Sequence, residues 1–353
     1  MKRPLLYSAL ILLLLLCFTA CNNTPAETPP AAGASVETPA IIEGGVAIEW
    51  AEPVVEALVR QVLDKPKGII YQEELDDIFC VELYGESHLF FNYKDEGLRK
   101  GLDFHYRDRD DLQKMPKDGT YDLSGQQYTR GSVSSLADFA NFRNLKELWV
   151  YKNSLKDLTG LASLEALVWL GLWDNEIQDA GALSSLRQLE SLDLSMNNIE
   201  DMSDFTGFDH VKDLSLSGNY ISNLDFLTGF PSVVSLSLGY TPLTSLEGLT
   251  KLKNLERLES LNLDSVQIDD ISILTGNTSL KSLHLKYLKV DSFDVEQLTA
   301  IPNLDNVGLA QTQAKLVNIR SLAELKYLAY LSLTNVPDGD IAWLREQLPY
   351  CKI

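Results

Sequence analysis

Histidine is scarce in this chain of 353 residues, and its four copies, His88, His105, His210 and His284, are scattered. None stands in a nucleophile or metal-ligand motif, so the sequence names no catalytic centre. Asp108-Arg109-Asp110-Asp111 is dense in acid but lacks the ligand spacing and central glycine of a calcium loop. The expectation is a chain without cofactor, metal or turnover. Positive charge is short as well. Against 50 Asp and Glu stand 30 Lys and Arg, a formal net charge of -20. Such a surface repels phosphate backbones and anionic headgroups, which argues against a nucleic-acid partner.

Long apolar runs are missing too. The stretch Leu5 to Leu16 falls short of the ~20 residues needed to cross a bilayer. With Lys2 and Arg3 before it and Phe18-Thr19-Ala20-Cys21 after it, it reads as a processing signal over residues 1–20. The tetrapeptide resembles the lipobox of bacterial lipoproteins, with Phe18 where leucine is usual. That resemblance implies diacylglycerol on Cys21, cleavage just before it, and a bacterial cell-surface or extracytoplasmic location. The membrane would be touched only through this anchor, and two acyl chains suffice for stable attachment. The competing reading is an ordinary secretory signal with a chance cysteine. Residues 21–45 are rich in Pro, Ala and Thr and nearly devoid of large apolar side chains, so they read as a disordered stalk. Cysteine offers no staples. Cys80 and Cys351 are separated by about ten strands at ~4.8 Å spacing, far beyond the ~7 Å a disulfide spans.

What is abundant is leucine at a fixed interval. The pattern LxxLxLxxNxIxDLxxL begins at Leu123 (a degenerate copy), Leu145, Leu167, Leu189, Val211 and Val233, every 22 residues. It recurs, mostly at longer spacing, at Leu258, Leu280, Leu304 and Leu328. A period in this range means a stacked solenoid of about ten repeats over residues 121–339. Leu148 and Val150 alternate with Trp149 and Tyr151, a short strand with one face buried. The fold class is α/β, with a parallel sheet on the concave face. Early returns on the convex face, such as Lys156 to Leu161, read as short 3-10 or extended segments. Later ones, Asp294 to Ala300 and Leu316 to Leu325, read as helical. Asn153, Asn175, Asn197 and Asn219 share one slot, where an amide can satisfy backbone groups at the strand exit. This asparagine ladder is structural.

Residues 46–120 form a helical N-terminal cap with an irregular excursion. Glu52-Pro53 opens a helix with Val54, Val55, Leu58, Val59, Val62 and Leu63 on one side. Leu75, Ile78, Val81 and Leu83 sketch half a repeat, and residues 86–120 show no period. At the far end, residues 340–353 form a helical cap with Ile341, Leu344 and Leu348 on one face. These features together resemble the internalin-like class of bacterial leucine-rich repeat proteins. The units Asn175-x-Ile177-x-Asp179 and Asn197-x-Ile199-x-Asp201 and the helix from Glu52 to Leu63 carry the resemblance, which covers Val46 to Ile353. It implies a leucine-rich repeat solenoid that binds another macromolecule. The chain differs from that class in showing no following immunoglobulin-like domain and no cell-wall sorting signal.

Positions three, five and seven of each repeat face the concavity. There Trp149 and Tyr151 lie beside Trp169 and Trp173 of the next coil, and Gly171, level with Trp149, leaves room for its ring. Serines dominate the same face further on. Large rings on a solvent-facing sheet mark a binding site, here for a protein partner, with Asp174 and Asp193 at its border. Residues 86–120 folding back over the rings is the opposing reading. A glycan or cell-wall ligand stacked on the tryptophans is a second function, and an enzyme within residues 46–120 a third.

Overall fold

The computed structural model describes residues 45–85, 88–93, 121–122, 127–128, 130–252 and 255–353, with the backbone alone given for 88–93, 121–122 and 127–128. The signal, Cys21, the stalk up to residue 44, Leu123 and most of the 86–120 excursion lie outside the described residues.

Helix α1 (Pro53–Val62) precedes β1 (Ile78–Tyr84), β2 (His88–Tyr93) and a two-residue hairpin of β3 (Tyr121–Asp122) and β4 (Gln127–Tyr128). The repeat strands follow: β5 (Glu147–Tyr151), β6 (Trp169–Gly171), β7 (Ser191–Asp193), β8 (Asp213–Ser215), β9 (Ser235–Ser237), β10 (Ser260–Asn262) and β11 (Ser282–His284). After them come β12 (Ser292–Asp294), β13 (Asn306–Leu309), β14 (Lys315–Val317), β15 (Tyr330–Leu333) and helix α2 (Asp338–Gln347). One eleven-stranded sheet runs β15-β13-β11-β10-β9-β8-β7-β6-β5-β1-β2. All its pairings are parallel except β1 with β2. The register sets Leu148, Leu170, Leu192, Leu214 and Leu236 level across neighbouring strands. Each is almost fully buried, so every coil covers its leucines with those of the next. This is the leucine-rich repeat solenoid that the period implies.

Three devices turn the chain around each coil. The first is the asparagine row. Asn175 Nδ2 donates to the carbonyls of Val150 (2.8 Å) and Leu172 (3.0 Å), while its Oδ1 accepts from the Asn153 amide (3.1 Å). Asn197 and Asn219 repeat the scheme one and two coils on, and Asn153 Oδ1 accepts from Val133 N. The second is a left-handed residue just before that slot. Lys152, Asp174, Met196, Tyr240, Ser265, Tyr287, Gln311 and Asn335 have φ between 53° and 61°, and Gly218 has 72°. The third is the aspartate of the repeat pattern. Asp157, Asp179, Asp201 and Asp270 each accept the amide two residues on, opening the return. These hydrogen bonds hold the carboxyls of Asp157, Asp201 and Asp270 below their ordinary value.

Two expectations need correction. The late returns are helical but not α-helical: Val295–Ala300 and Ile319–Glu324 are six-residue 3-10 helices, one residue longer than Thr159–Ser163 or Gly181–Ser185. An α-helix about 10 Å wide on every coil would have to fan out from strands ~4.8 Å apart, and the slimmer turn stacks more closely. Strands β12 and β14 add a small second parallel sheet at these late returns. The first coil is also not a copy starting at Leu123. Its strand is β1, paired in register with β5 from Cys80↔Glu147 to Tyr84↔Tyr151. Its return is supplied by buried Val133, Leu136, Phe139 and Phe142. Gly85 N donates to Tyr151 O (3.0 Å) and Gly131 N to Lys152 O (2.8 Å). A Cβ on Gly131 would stand 2.6 Å from the Gly85 carbonyl carbon. The chain therefore leaves the coil at Gly85 and rejoins it at Gly131, and the sequence between is an insertion within one repeat.

The cap helix is stitched to that split coil. Val55 and Val59 are buried, and the Ala51 and Glu52 amides both donate to the Asp138 carboxylate at 2.7 Å. In return the Glu52 carboxylate accepts from Ser134 and Ser135 amides at 2.9 and 3.0 Å. Burial, with Glu52 and Glu56 nearby, pushes the Asp138 carboxyl up despite its two amide donors. Asp138→Asn replaces one acceptor with a donor facing an amide, and is expected to cost about 1–3 kcal/mol in urea unfolding. Because the folded pKa is raised, Asp138 stabilises most when protonated, and this contribution fades as pH rises through the raised value. The gap between wild type and variant is therefore expected to widen as pH falls toward 3.8. At the other end Leu344 and Leu348 of the α2 region are buried, and Lys352 bridges to Tyr330 beyond the last strand. Among the described residues neither Cys80 nor Cys351 is in a disulfide.

Candidate functional site: the concave aromatic face

Strand alternation places the even rows in the leucine core, so the odd rows must face out. Trp149 and Tyr151 are half-buried on β5, and Trp169 on β6 is 40% exposed. Tyr151 sits at the centre of a ring cluster. Its centroid lies 5.2 Å from Tyr84, 5.8 Å from Trp149 and 6.2 Å from Trp173, the last edge-on at 81°. Such tilted and edge-to-face contacts suit the ring quadrupoles. Tyr84 was not singled out from sequence, because its strand belonged to a half-repeat far from Leu145. Only the split coil brings it next to Tyr151.

Gly171 is what lets these rings lie down. It pairs with Trp149 across β5 and β6, and a Cβ there would meet Trp149 Cε3 at 2.1 Å and the Tyr151 hydroxyl at 2.7 Å. The obstruction is a side chain and not backbone, so Gly171→Ala is expected to swing the Trp149 ring while the coil persists. An altered near-UV circular dichroism band with an unchanged far-UV spectrum checks this; an unchanged near-UV band refutes it.

Beyond the rings the floor is polar and pairs with itself. Ser195 and Ser215 hydroxyls lie 2.6 Å apart, and those of Ser217 and Ser237 2.7 Å. Asp193, half-buried on β7, accepts the Ser195 amide at 2.9 Å, which fixes its carboxylate beside the rings. Asp213 on β8 is exposed. Asp174 has a different setting. It is the left-handed residue after Trp173, and its carboxylate pairs with Arg130, which also donates to Asn153 O (2.5 Å) and Asp174 O (3.2 Å). Arg130 is a clasp where the insertion rejoins the coil. No sequence pattern flagged it, since its partners lie 23 and 44 residues away. On the concave face His284 contacts Ser282 Oγ at 3.0 Å. Among the described residues no group of His, Cys, Asp and Glu is arranged to hold a metal ion, and no helix is long and apolar enough to cross a membrane.

A family model described as leucine rich repeat matches residues 167–221. With the sheet above, it defines the class of fold, a leucine-rich repeat solenoid. Among solved structures the chain is similar to an internalin from Listeria monocytogenes at 21% identity. That match covers 84% of this chain and 100% of the other, with a TM-score of 0.47. It is similar to internalin C2 of the same organism at 27% identity, over 58% of this chain and 78% of that one, with a TM-score of 0.43. A plant peptide hormone receptor, RGFR1, in complex with RGF2 is similar at 19% identity, over 59% of this chain and 35% of that one, with a TM-score of 0.45. A comparison with curated proteins finds no match.

Proposed function

We propose that this chain is a bacterial lipoprotein, anchored through Cys21 outside the cytoplasm, whose solenoid binds a protein on its concave face without turnover. The observation that carries the reading is the ring cluster of Tyr84, Trp149, Tyr151 and Trp173, with Trp169 40% exposed beside it. Repeat arrays offer long concave surfaces to partners. Each ring can bury ~150–250 Å², and a buried aromatic anchor is commonly worth ~2 kcal/mol or more. The lipobox-like end of the signal and the stalk supply anchor and reach.

Crosslinking and pull-down from intact cells tests the binding. A Trp149→Ala, Trp169→Ala, Trp173→Ala variant with wild-type far-UV circular dichroism is expected to lose the captured protein. Undiminished capture would remove the site. Metabolic fatty-acid labelling tests the anchor, with label expected on the wild type and absent from Cys21→Ala. Glycan binding is a second reading, favoured by the tryptophans alone. Neutral oligosaccharide binding that Trp173→Ala abolishes, with no protein captured, would put it first.

A further inference from the structure

The ring cluster is small for a protein interface. Stable interfaces engage about 20–30 residues a side, and Trp149, Tyr151 and Trp173 already cover part of one another. A surface that binds protein there has to extend, and the structure shows in which direction. The serine floor beyond the rings pairs with itself, Ser195 with Ser215 and Ser217 with Ser237. The edge where the strands exit is different. There the left-handed residues of successive coils form a hydrogen-bonded ladder. Asp174 N donates to Ser195 O (3.0 Å), Met196 N to Ser217 O (2.7 Å) and Gly218 N to Gly239 O (2.8 Å). Tyr240 N donates to Asp264 O (2.6 Å) and Ser265 N to Lys286 O (2.7 Å), which brings the row to Tyr287. Trp173 thus stands one coil from Met196, at the start of a row whose backbone is fixed.

Large and small side chains alternate along this row. The Met196 thioether lies across Gly218, where a Cβ would meet Sδ at 2.4 Å. Tyr240 and Tyr287 are two coils apart, yet their rings lean together to 6.2 Å on either side of buried Ser265. Met196 is 43% and Tyr240 52% exposed, so neither fills the core. Their backbone does not favour them either. Met196, Tyr240 and Tyr287 all have φ of 57°, a region that suits glycine or asparagine, as Gly218 and Asn335 show in the same row. Side chains that neither pack the core nor suit their backbone point to a use outside the fold. From Met196 to Tyr287 the row carries no charge, and burial, with Asp264 nearby, pushes the Tyr240 phenol up to about 12, so it stays a neutral donor. Such a crest of rings and thioether matches apolar side chains. Building on the protein-binding reading, we propose that the partner protein extends from the rings along the strand-exit edge, laying an apolar strip against Met196, Tyr240 and Tyr287.

The probe is the photo-crosslinking amino acid p-benzoylphenylalanine, replacing Trp169, Tyr240 or, on an exposed return, Thr250 in the full chain. Intact cells are irradiated and the adducts identified by mass spectrometry. The expected result is an adduct of the same protein from positions 169 and 240, and none from 250. A chain carrying Tyr240→Asn and Tyr287→Asn should give about tenfold less adduct from 169. Its thermal midpoint should equal or exceed that of wild type, because asparagine accepts the left-handed backbone. A lower midpoint would show that the rings serve the fold, and undiminished adduct that the partner ignores them; either overturns the proposal. Equal adduct from 250 would show unselective contact and overturn it too. An adduct from 169 alone, or of different proteins at 169 and 240, would overturn it while leaving the ring site standing. No adduct from either position would remove the ring site as well.

Discussion

Phe208→Ala is expected to lower the unfolding free energy by about 3–5 kcal/mol. Phe208 is 2% exposed and stacks on Phe230 of the next return, with centroids 4.8 Å apart and planes 3° from parallel. Phe205 packs against both at 5.8 and 6.2 Å, and Phe226 meets Phe230 edge-on at 85°. These four rings fill the space between successive returns just where the return of the Leu189 repeat has no 3-10 turn. Truncating the stacked ring leaves a cavity that neighbouring backbone, tied into the sheet on both sides, cannot close. Urea denaturation followed at 222 nm measures the loss. A shift under about 1 kcal/mol would mean that the site collapses freely, contrary to a tightly stacked array.

Asn197→Ala is the second large effect, expected near 3 kcal/mol and expressed as local opening of the central coils. Asn197 is 3% exposed. It accepts the Ile177 amide at 3.1 Å and donates to the carbonyls of Leu172 and Leu194 at 2.9 and 3.0 Å. Removing it orphans buried donor and acceptors in two adjacent coils, each worth about 1–3 kcal/mol when unsatisfied. Hydrogen exchange is the discriminating readout, since repeats contact only their neighbours. The amide of Ile177, which loses its acceptor, should lose protection first, with those near Leu331 unaffected. Uniform loss along the chain would contradict the nearest-neighbour picture.

The solenoid was legible because its causes are periodic. Leu148, Leu170 and Leu192 recur at the interval that sets them level in the sheet, and the asparagines recur with them. Asp179 and Asp201 were visible as part of the repeat, although their work of opening the returns was not. The left-handed row was invisible. Its occupants include Lys152, Met196 and Tyr287, which carry no conformational signature, and only Gly218 and, in the split coil, Gly85 are glycines. Non-glycine residues there cost roughly 1–2 kcal/mol each, which the stacked coils impose. The split coil was hidden for another reason. Leu75 to Leu83 and Val133 to Phe142 are each half a repeat, and an insertion between them breaks the period that would join them. The ring patch, in contrast, could be read from alternation alone. Gly171 opposite Trp149 could be read as well, since register follows from repeat length. Its neighbours Tyr84 and Glu82 could not, because they depend on the split coil.

The most direct test of the account is partner capture by Gly171→Ala. This variant keeps every ring and every charge of the concave face and adds one methyl group, 2.1 Å from where Trp149 Cε3 now lies. If the rings as arranged are the binding surface, crosslinked partner recovered from intact cells should fall at least tenfold while the thermal midpoint stays near that of wild type. Full recovery with a displaced Trp149 ring would show that the partner is held elsewhere.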